Sequence, residues 1–495
     1  MLASNIFSRI KYSSKAKLLE WIQVSLLLLV VCGGYAMLII GAYYSYPGAE
    51  DYEVSCSSRD IGVISSVIES LTNYDGRYTT NLLHAINPLV FNWIRGYALM
   101  NFIGVFSLQL GLYLFMSLCL KTKSRLHGFL YSALVLVVYM GSIPCYATFY
   151  QMTGNFVYLY PGAFVLFFLT ALAQYFKEKK NTFSSNSYFL MTGSLLVIAI
   201  GFLELYLLFY AMLLTGILFY TWQTERTLLK NFLPIYFIGF SSILFFVLAP
   251  SVSAHISTFD QVINPVIFFN VFANSIKNYT LALFYILLKP ICICSILYGV
   301  ILFQSKLFAL KKVISRKNIF LFMTAIMAVT FLMTLLYYFP KMDDTSNPEK
   351  IYTPILFLLL VFVFVFLCSA VPLPSALLRP YVSAGVKVIL LVIVLVNFIS
   401  GDNNLSSLFA DYRNGSLQKF KDFMDNRISL LKSASQSDMA YKTVCVPALV
   451  DYPKSIYNPL DKETDRNTSK WNKCHEEYFR IDEVTTEGDT TRKFR

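Results

Sequence analysis

The chain alternates long apolar runs with short polar interruptions. Eleven runs are long enough to be read as membrane spans: 21–44, 98–120, 128–145, 158–176, 188–203, 205–222, 232–250, 283–303, 319–339, 352–371 and 381–400. A helix needs about 20 residues to cross about 30 Å of hydrocarbon. Residues 188–222 divide around Glu204 into two short helices, with one long tilted helix as the alternative.

The interruptions sort into two kinds. One set is short and basic: Lys121/Lys123/Arg125, Lys177/Lys179/Lys180, Arg226/Lys230, Lys306/Lys311/Lys312/Arg316/Lys317 and Arg379, with Arg9, Lys11, Lys15 and Lys17 before the first run. Cationic loops stay in the cytoplasm, so the N-terminus is expected inside. The other set is polar and aromatic: 45–97, 146–157, the turn at Glu204, 251–282 and 340–351, joined on the outer face by the tail 401–495. The first run spans 24 residues, too long for the apolar part of a signal peptide, and no small-residue cleavage site follows it.

Within 45–97 the period changes. Ile61, Ile64, Val67, Ile68 and Leu71 recur at helical spacing with Ser65, Ser66, Glu69 and Ser70 between them. The segment is too short to span and predicts a helix lying in the membrane interface, with Asp60 as its N-cap. A second short helix is expected over 80–87, before Pro88. After Ser400 the apolar runs stop. Residues 417–431 carry a helical pattern and 442–449 read as a short buried strand. The expected architecture is an all-α polytopic membrane domain over 1–400 with about 11 transmembrane helices, interface helices in the first outer loop and a small α/β extracytoplasmic domain over 401–495.

Composition sharpens this. The chain is 56% hydrophobic and 14% charged, with mean hydropathy +0.57, against about 25% charged in soluble domains. The tail carries 15 residues of each charge sign, so the net +12 belongs to the first 400 residues. There it is a topology signal, and no soluble basic domain exists to bind nucleic acid. Six of the nine cysteines (Cys32, Cys119, Cys145, Cys292, Cys294, Cys368) lie in or beside apolar runs and read as small buried hydrophobes. Cys445 and Cys474 lie in the outer tail, where a disulfide and a reduced pair are both open. No metal-ligand spacing, phosphate-binding glycine loop or nucleophile motif is present. The sequence requires no cofactor and leaves a divalent metal open.

Candidate chemistry falls on the outer side. Glu50-Asp51 follows the Pro47-Gly48 turn. A carboxylate there can take a proton from an attacking hydroxyl, and its neighbour can raise its pKa or share a metal. Of the two, Asp51 is the preferred base. Glu204 is an acid within an apolar run, a functional candidate by its cost in the membrane. Arg77, after the flexible Gly76, can clamp a phosphate or pair with Asp75. Lys289 and Lys350 are further cations for a lipid phosphate, with Lys341 weaker. His84 lies in the first loop, and His255 and His475 are isolated.

This layout resembles the GT-C class of integral-membrane glycosyltransferases and, within it, bacterial O-antigen-modifying glucosyltransferases of the phage-encoded serotype-conversion type. The residues carrying the resemblance are Glu50-Asp51-Tyr52, Tyr74-Asp-Gly-Arg-Tyr78, Tyr150-Gln-Met-Thr-Gly-Asn-Phe-Val-Tyr158, Gly201-Phe-Leu-Glu204 and Trp471-Asn-Lys-Cys-His-Glu-Glu-Tyr-Phe479. The first motif reads Glu-Asp where relatives read Asp-Asp. The run at 248–257 lacks the Pro-Gly and Arg that relatives tend to show.

The resemblance implies inverting transfer of a sugar, glucose by analogy, from a polyprenyl-phosphate donor to a lipid-linked O-antigen glycan on the periplasmic face of the bacterial inner membrane. Asp51, Glu50 and Glu204 would be catalytic. Arg77, Lys289 and Lys350 would hold the donor phosphate, and Tyr74, Tyr78, Tyr150 and Tyr158 would stack on sugars. A small flippase and a polyprenyl-phosphate glucosyl synthase would supply the donor. The rival readings are a non-catalytic flippase or exporter of lipid-linked glycan, an O-antigen polymerase or ligase, and a protein mannosyltransferase or arabinosyltransferase. A transporter would favour internal repeats and midplane charges, and neither is evident here.

Overall fold

A computed structural model describes residues 2–120, 125–143, 149–177, 182–224, 226–252, 265–287, 289–304, 316–338, 380–447, 452–453, 455–456 and 470–486, and isolated positions between 354 and 361. The predicted span 352–371, the loop 340–351 with Lys350, and His255 therefore lie largely or wholly outside the described residues. What is described is mainly helical. Seven of the described helical stretches are long and apolar enough to cross a membrane: Lys17–Tyr43, Gly96–Leu118, Arg125–Ser142, Met152–Lys177, Glu204–Gln223, Arg226–Val247 and Val382–Ser400. Shorter apolar helices cover Asn186–Ile200, Pro290–Leu302 and Thr324–Leu335.

The helices are, in order, α1 (Leu2–Tyr43), α2 (Ala49–Ile61), α3 (Val63–Asn73), α4 (Tyr78–Ala85), α5 (Gly96–Leu120), α6 (Arg125–Ser142), a π-helical turn (Asn155–Leu159) leading into α7 (Tyr160–Lys177), α8 (Thr182–Ile200), α9 (Glu204–Thr224), α10 (Arg226–Val247), α11 (Pro265–Leu287), α12 (Pro290–Gln304), α13 (Arg316–Tyr338) and α14 (Pro380–Ser400). The split at Glu204 is real: α8 ends at Ile200 and α9 begins at Glu204.

One apolar run is partitioned differently from expectation. Residues 265–287 form one helix, although 265–282 are expected in an outer loop, and the expected span 283–303 is broken at Lys289-Pro290. Asn270, Asn274, Lys277 and Asn278 dilute the hydropathy of α11. They fall at i, i+4, i+7 and i+8, one stripe of a single helix. Proline lacks a backbone N–H and disfavours helix in the residue before it, so Pro290 ends one helix and opens the next.

The first loop departs from expectation at its start. Glu50 and Asp51 sit in the first turn of α2, which runs through Asp60, so Asp60 is in the last turn of that helix and caps nothing. The break falls at Gly62, with φ +87° and ψ 157°, a conformation open to glycine alone. The amphipathic reading of α3 holds: Ile61, Ile64 and Ile68 are exposed, and Ser66 is buried against Ser58. Ile64 is 76% exposed and Phe91, on the following turn, 67%. Trp93 is exposed as well, and exposed apolar side chains of this kind suit a membrane interface.

The tail contributes α15 (Asn404–Arg413), α16 (Ser416–Ser435), β1 (Thr443–Val446), α17 (Lys470–Phe479) and β2 (Glu483–Thr486). β1 and β2 pair in parallel, Thr443 opposite Glu483 and Val446 opposite Thr486. α17 packs on α2, so the tail lies against the first loop.

α4 and the turn before it dock on the end of α8. Tyr78 donates to Val197 O (2.6 Å), Thr79 Oγ1 to Ile198 O (2.8 Å), Thr79 N to Gly201 O (2.9 Å) and Thr80 Oγ1 to Phe202 O (2.7 Å). These donors satisfy the carbonyls that a helix C-terminus leaves open. The approach needs Gly201, because a Cβ there would fall inside the Tyr78 ring. Gly201→Ala should therefore lower thermal stability, by about 1–3 kcal/mol of overpacking, read as a lower melting temperature in lipid nanodiscs. An unchanged melt would show that the loop can shift at no cost.

Candidate functional site

The turn Ser45–Gly48 ends α1 and opens α2, and it puts the two acids in different surroundings. Asp51 is fully buried. Its Oδ2 accepts from Gly48 N at 2.8 Å, the N-terminal position where a carboxylate meets open helix N–H groups. Its Oδ1 accepts from Thr153 N at 2.9 Å. The Tyr97 hydroxyl stands 3.1 Å from Oδ2 and 2.7 Å from Tyr150 O, with one proton for the two, and accepts from Met152 N at 3.0 Å. Asp51 thus ties the first loop to the segment 150–153. Glu50, one position earlier, is half-buried.

Burial pushes the Asp51 carboxyl up, the N–H bonds from Gly48 and Thr153 pull it back, and the Glu50 charge adds a smaller upward push, leaving a pKa of about 6. A protonated Asp51 can itself donate to Tyr97, whose own proton then serves Tyr150 O. The folded-state pKa lies above the unfolded 3.8. The native state therefore holds a proton that the unfolded chain has released, and stability falls as pH rises from about 4 to about 6. Two pKa units correspond to roughly 3 kcal/mol as an upper bound. Melting temperature should decline across that window in the parent protein and flatten in Asp51→Asn. Equal slopes in both would remove Asp51 as the source.

The second cluster surrounds Arg77. Its guanidinium makes a two-point contact with Glu204, Nε to Oε2 at 2.6 Å and Nη2 to Oε1 at 2.5 Å. Asp75 accepts from Arg77 N at 3.0 Å and lies 3.6 Å from Nε, and Asn81 donates to Asp75 at 2.9 Å. Glu204 and Arg77, read separately in the sequence as catalytic acid and phosphate clamp, are partners. The pairing of Arg77 with Asp75 that the sequence left open also exists. Tyr158 is close enough to act on the Arg77 charge.

The segment 150–158 runs between the two clusters, with Thr153 on Asp51, Phe156 against His84 (ring centroids 5.6 Å) and Tyr158 near Arg77. Its π-helical turn, 155–159, is a geometry common at functional sites.

No family model, curated protein or solved structure matches this chain. The site therefore stands on its own geometry.

The four tyrosines expected on sugars divide. Tyr150 is buried, its ring pressed on Gly41, which leaves no face for a ligand. Tyr78 is committed to Val197 O and packs on Phe245 at 5.5 Å. Tyr74 is 66% exposed and Tyr158 half-buried, and these two keep accessible faces. Lys289 donates to Ser142 O at 3.2 Å, at the end of α6. Lys350 lies outside the described residues.

Several site residues carried weak signals in the sequence. Asn101 lies within an apolar run, which is itself a signal. It donates to Ser45 Oγ and Tyr150 O at 3.1 Å each, and Asn155 donates to it at 3.2 Å. Thr153 lies within the 150–158 motif with no role of its own assigned to it, and Tyr97 has no distinguishing mark. Among the described residues no group of three or more His, Cys, Asp or Glu lies together as a metal site.

The tail closes one side. Tyr52, buried beside Asp51, meets His475 at 5.1 Å and Tyr478 at 4.7 Å between ring centroids. Arg59 donates to Tyr478 O (2.8 Å) and Glu477 O (3.3 Å), capping the end of α17, and lies 4.9 Å over the Tyr478 ring. The Tyr478 hydroxyl donates to Leu89 O at 2.9 Å. Burial holds the His475 imidazole neutral, well below its usual range, with the nearby Arg427 charge acting the same way. His475 is thus part of a packed aromatic cluster. No disulfide joins Cys445 and Cys474: Cys445 lies on the exposed face of β1, and Cys474 is buried on α17.

Proposed function

We propose that this chain is an integral-membrane glycosyltransferase of the GT-C type, moving a sugar, glucose in the simplest case, from a polyprenyl-phosphate donor to a lipid-linked O-antigen glycan. The observation that carries the reading is the convergence of separate polar segments at one end of an apolar bundle. The acidic pair, the 74–80 turn, the segment 150–158, Glu204 and α17 all meet there, and the exposed apolar side chains of the first loop, Ile64 and Phe91 among them, would face the membrane surface.

In this reading the site lies on the periplasmic side of the bacterial inner membrane. The N-terminus is cytoplasmic, the tail periplasmic, and the donor enters laterally from the bilayer. Glu50 is the carboxylate an acceptor hydroxyl can reach, and the proposal gives it the role of base. It takes the hydroxyl proton as the oxygen attacks the anomeric carbon and the C–O bond to the lipid phosphate breaks with inversion. Asp51 sets the helix that carries Glu50. Arg77 stabilises the phosphate that leaves, which requires Glu204 to yield one of its two contacts.

The test is transfer in vitro by the full-length protein in nanodiscs, from a panel of polyprenyl-phosphate sugars to lipid-linked glycan, with the linkage read by NMR. Transfer from one donor with inversion is the expected result. No transfer from any donor, with lipid-linked glycan instead crossing the bilayer of sealed vesicles, would replace the reading with that of a flippase.

A further inference from the structure

α4 brings Arg77 (its N-cap), Asn81 and His84 to one face, at spacings of four and three. That helix packs on the π-helical turn 155–159. Two of the three residues are committed, Arg77 to Glu204 and Asn81 to Asp75. His84 differs. Its Nε2 is enclosed, and no group among the described residues forms a hydrogen bond with it. Nearly all enclosed polar atoms in folded proteins have a partner. The His84 ring lies against Phe156 and within reach of the Arg77 charge, among residues of the candidate site.

We infer that His84 Nε2 binds a ring hydroxyl of the sugar and so helps to set which sugar is accepted, an inference that rests on the transfer reading above. The chemistry favours a hydroxyl over the donor phosphate. Burial and the Arg77 charge lower the His84 pKa to about 4, so the ring is neutral at physiological pH. A neutral imidazole offers one nitrogen that donates and one that accepts, which suits a hydroxyl, whereas a phosphate calls for a cation. His84 as a residue is only partly buried, so a shift of its ring would open Nε2 to a ligand.

Two measurements on the full-length protein in nanodiscs test this. The first compares transfer from polyprenyl-phosphate glucose with transfer from its monodeoxy analogues. A site that bonds one hydroxyl rejects the analogue lacking it by about tenfold or more. His84→Phe should erase that selectivity by slowing every donor that keeps the hydroxyl and leaving the analogue without it unchanged, and His84→Gln should keep part of it. Equal slowing of every donor would overturn the inference.

The second needs no turnover. With histidine labelled in the ring nitrogens, and the His84 signal assigned through His84→Gln, its Nε2 resonance should move on addition of polyprenyl-phosphate glucose and stay in place with polyprenyl phosphate alone. No movement, or the same movement with both lipids, would overturn it. A wild-type protein that transfers no sugar would remove the transfer reading, while the resonance would still decide whether His84 meets a sugar.

Discussion

Glu50→Gln is expected to give a folded protein whose transfer rate drops by about two to four orders of magnitude, the usual effect of losing a general base. Asp51→Asn is expected to act through stability instead. The two acids are adjacent in sequence, yet one is half-buried and the other fully enclosed among Gly48 N, Thr153 N and the Tyr97 hydroxyl. An amide in place of the Asp51 carboxylate turns an NH₂ toward one of those N–H groups. It leaves two donors facing each other, at about 1–3 kcal/mol. Thermal melts and transfer rates measured on the same preparations separate the effects. Full transfer by Glu50→Gln would remove that residue as the base. A normal melt for Asp51→Asn would show that the surrounding segment adapts.

The second large effect is expected at Arg77. Arg77→Ala leaves Glu204 and Asp75 without their shared cation at the end of α9, and it removes the group assigned to the leaving phosphate. Breaking a fully buried pair costs about 3–5 kcal/mol. The Arg77 and Glu204 side chains are 24% and 49% exposed, so solvent screening brings the expected loss to roughly 1–2 kcal/mol. Removing Glu204 as well should return part of that stability, because the stranded carboxylate is then gone. Transfer should not return with it. The double variant should thus melt above Arg77→Ala and remain inactive. Strictly additive melts would mean the contact contributes nothing, and recovered transfer would take the phosphate away from Arg77.

The parts of the fold that could be read from the chain were those with a strong local period. The spans from Gly96, Arg125 and Arg226 lie where their apolar runs put them, and the α3 and α4 helices follow their spacing. α11 was hidden because its polar stripe lowers average hydropathy without breaking the helix. The site was legible in its parts and not in its pairing. Arg77 and Glu204 are 127 positions apart, and nothing local says that one neutralises the other. Likewise, Glu50 and Asp51 look equivalent as letters. Their difference is set by Tyr97 and Thr153, which approach from other segments.

Arg59 on α2 holds the backbone of Glu477 and Tyr478, and the Arg59–Tyr478 contact spans 419 positions. A ribosome feeding this chain into a membrane makes the first loop some 419 positions before the part of α17 that Arg59 holds. The early helices can form in order, but the wall beside Tyr52 stays open until α17 has been made and packs on α2. Assembly of the site is therefore a late event in biogenesis. A chain stopped before α17 would keep its described spans and lack one side of its site.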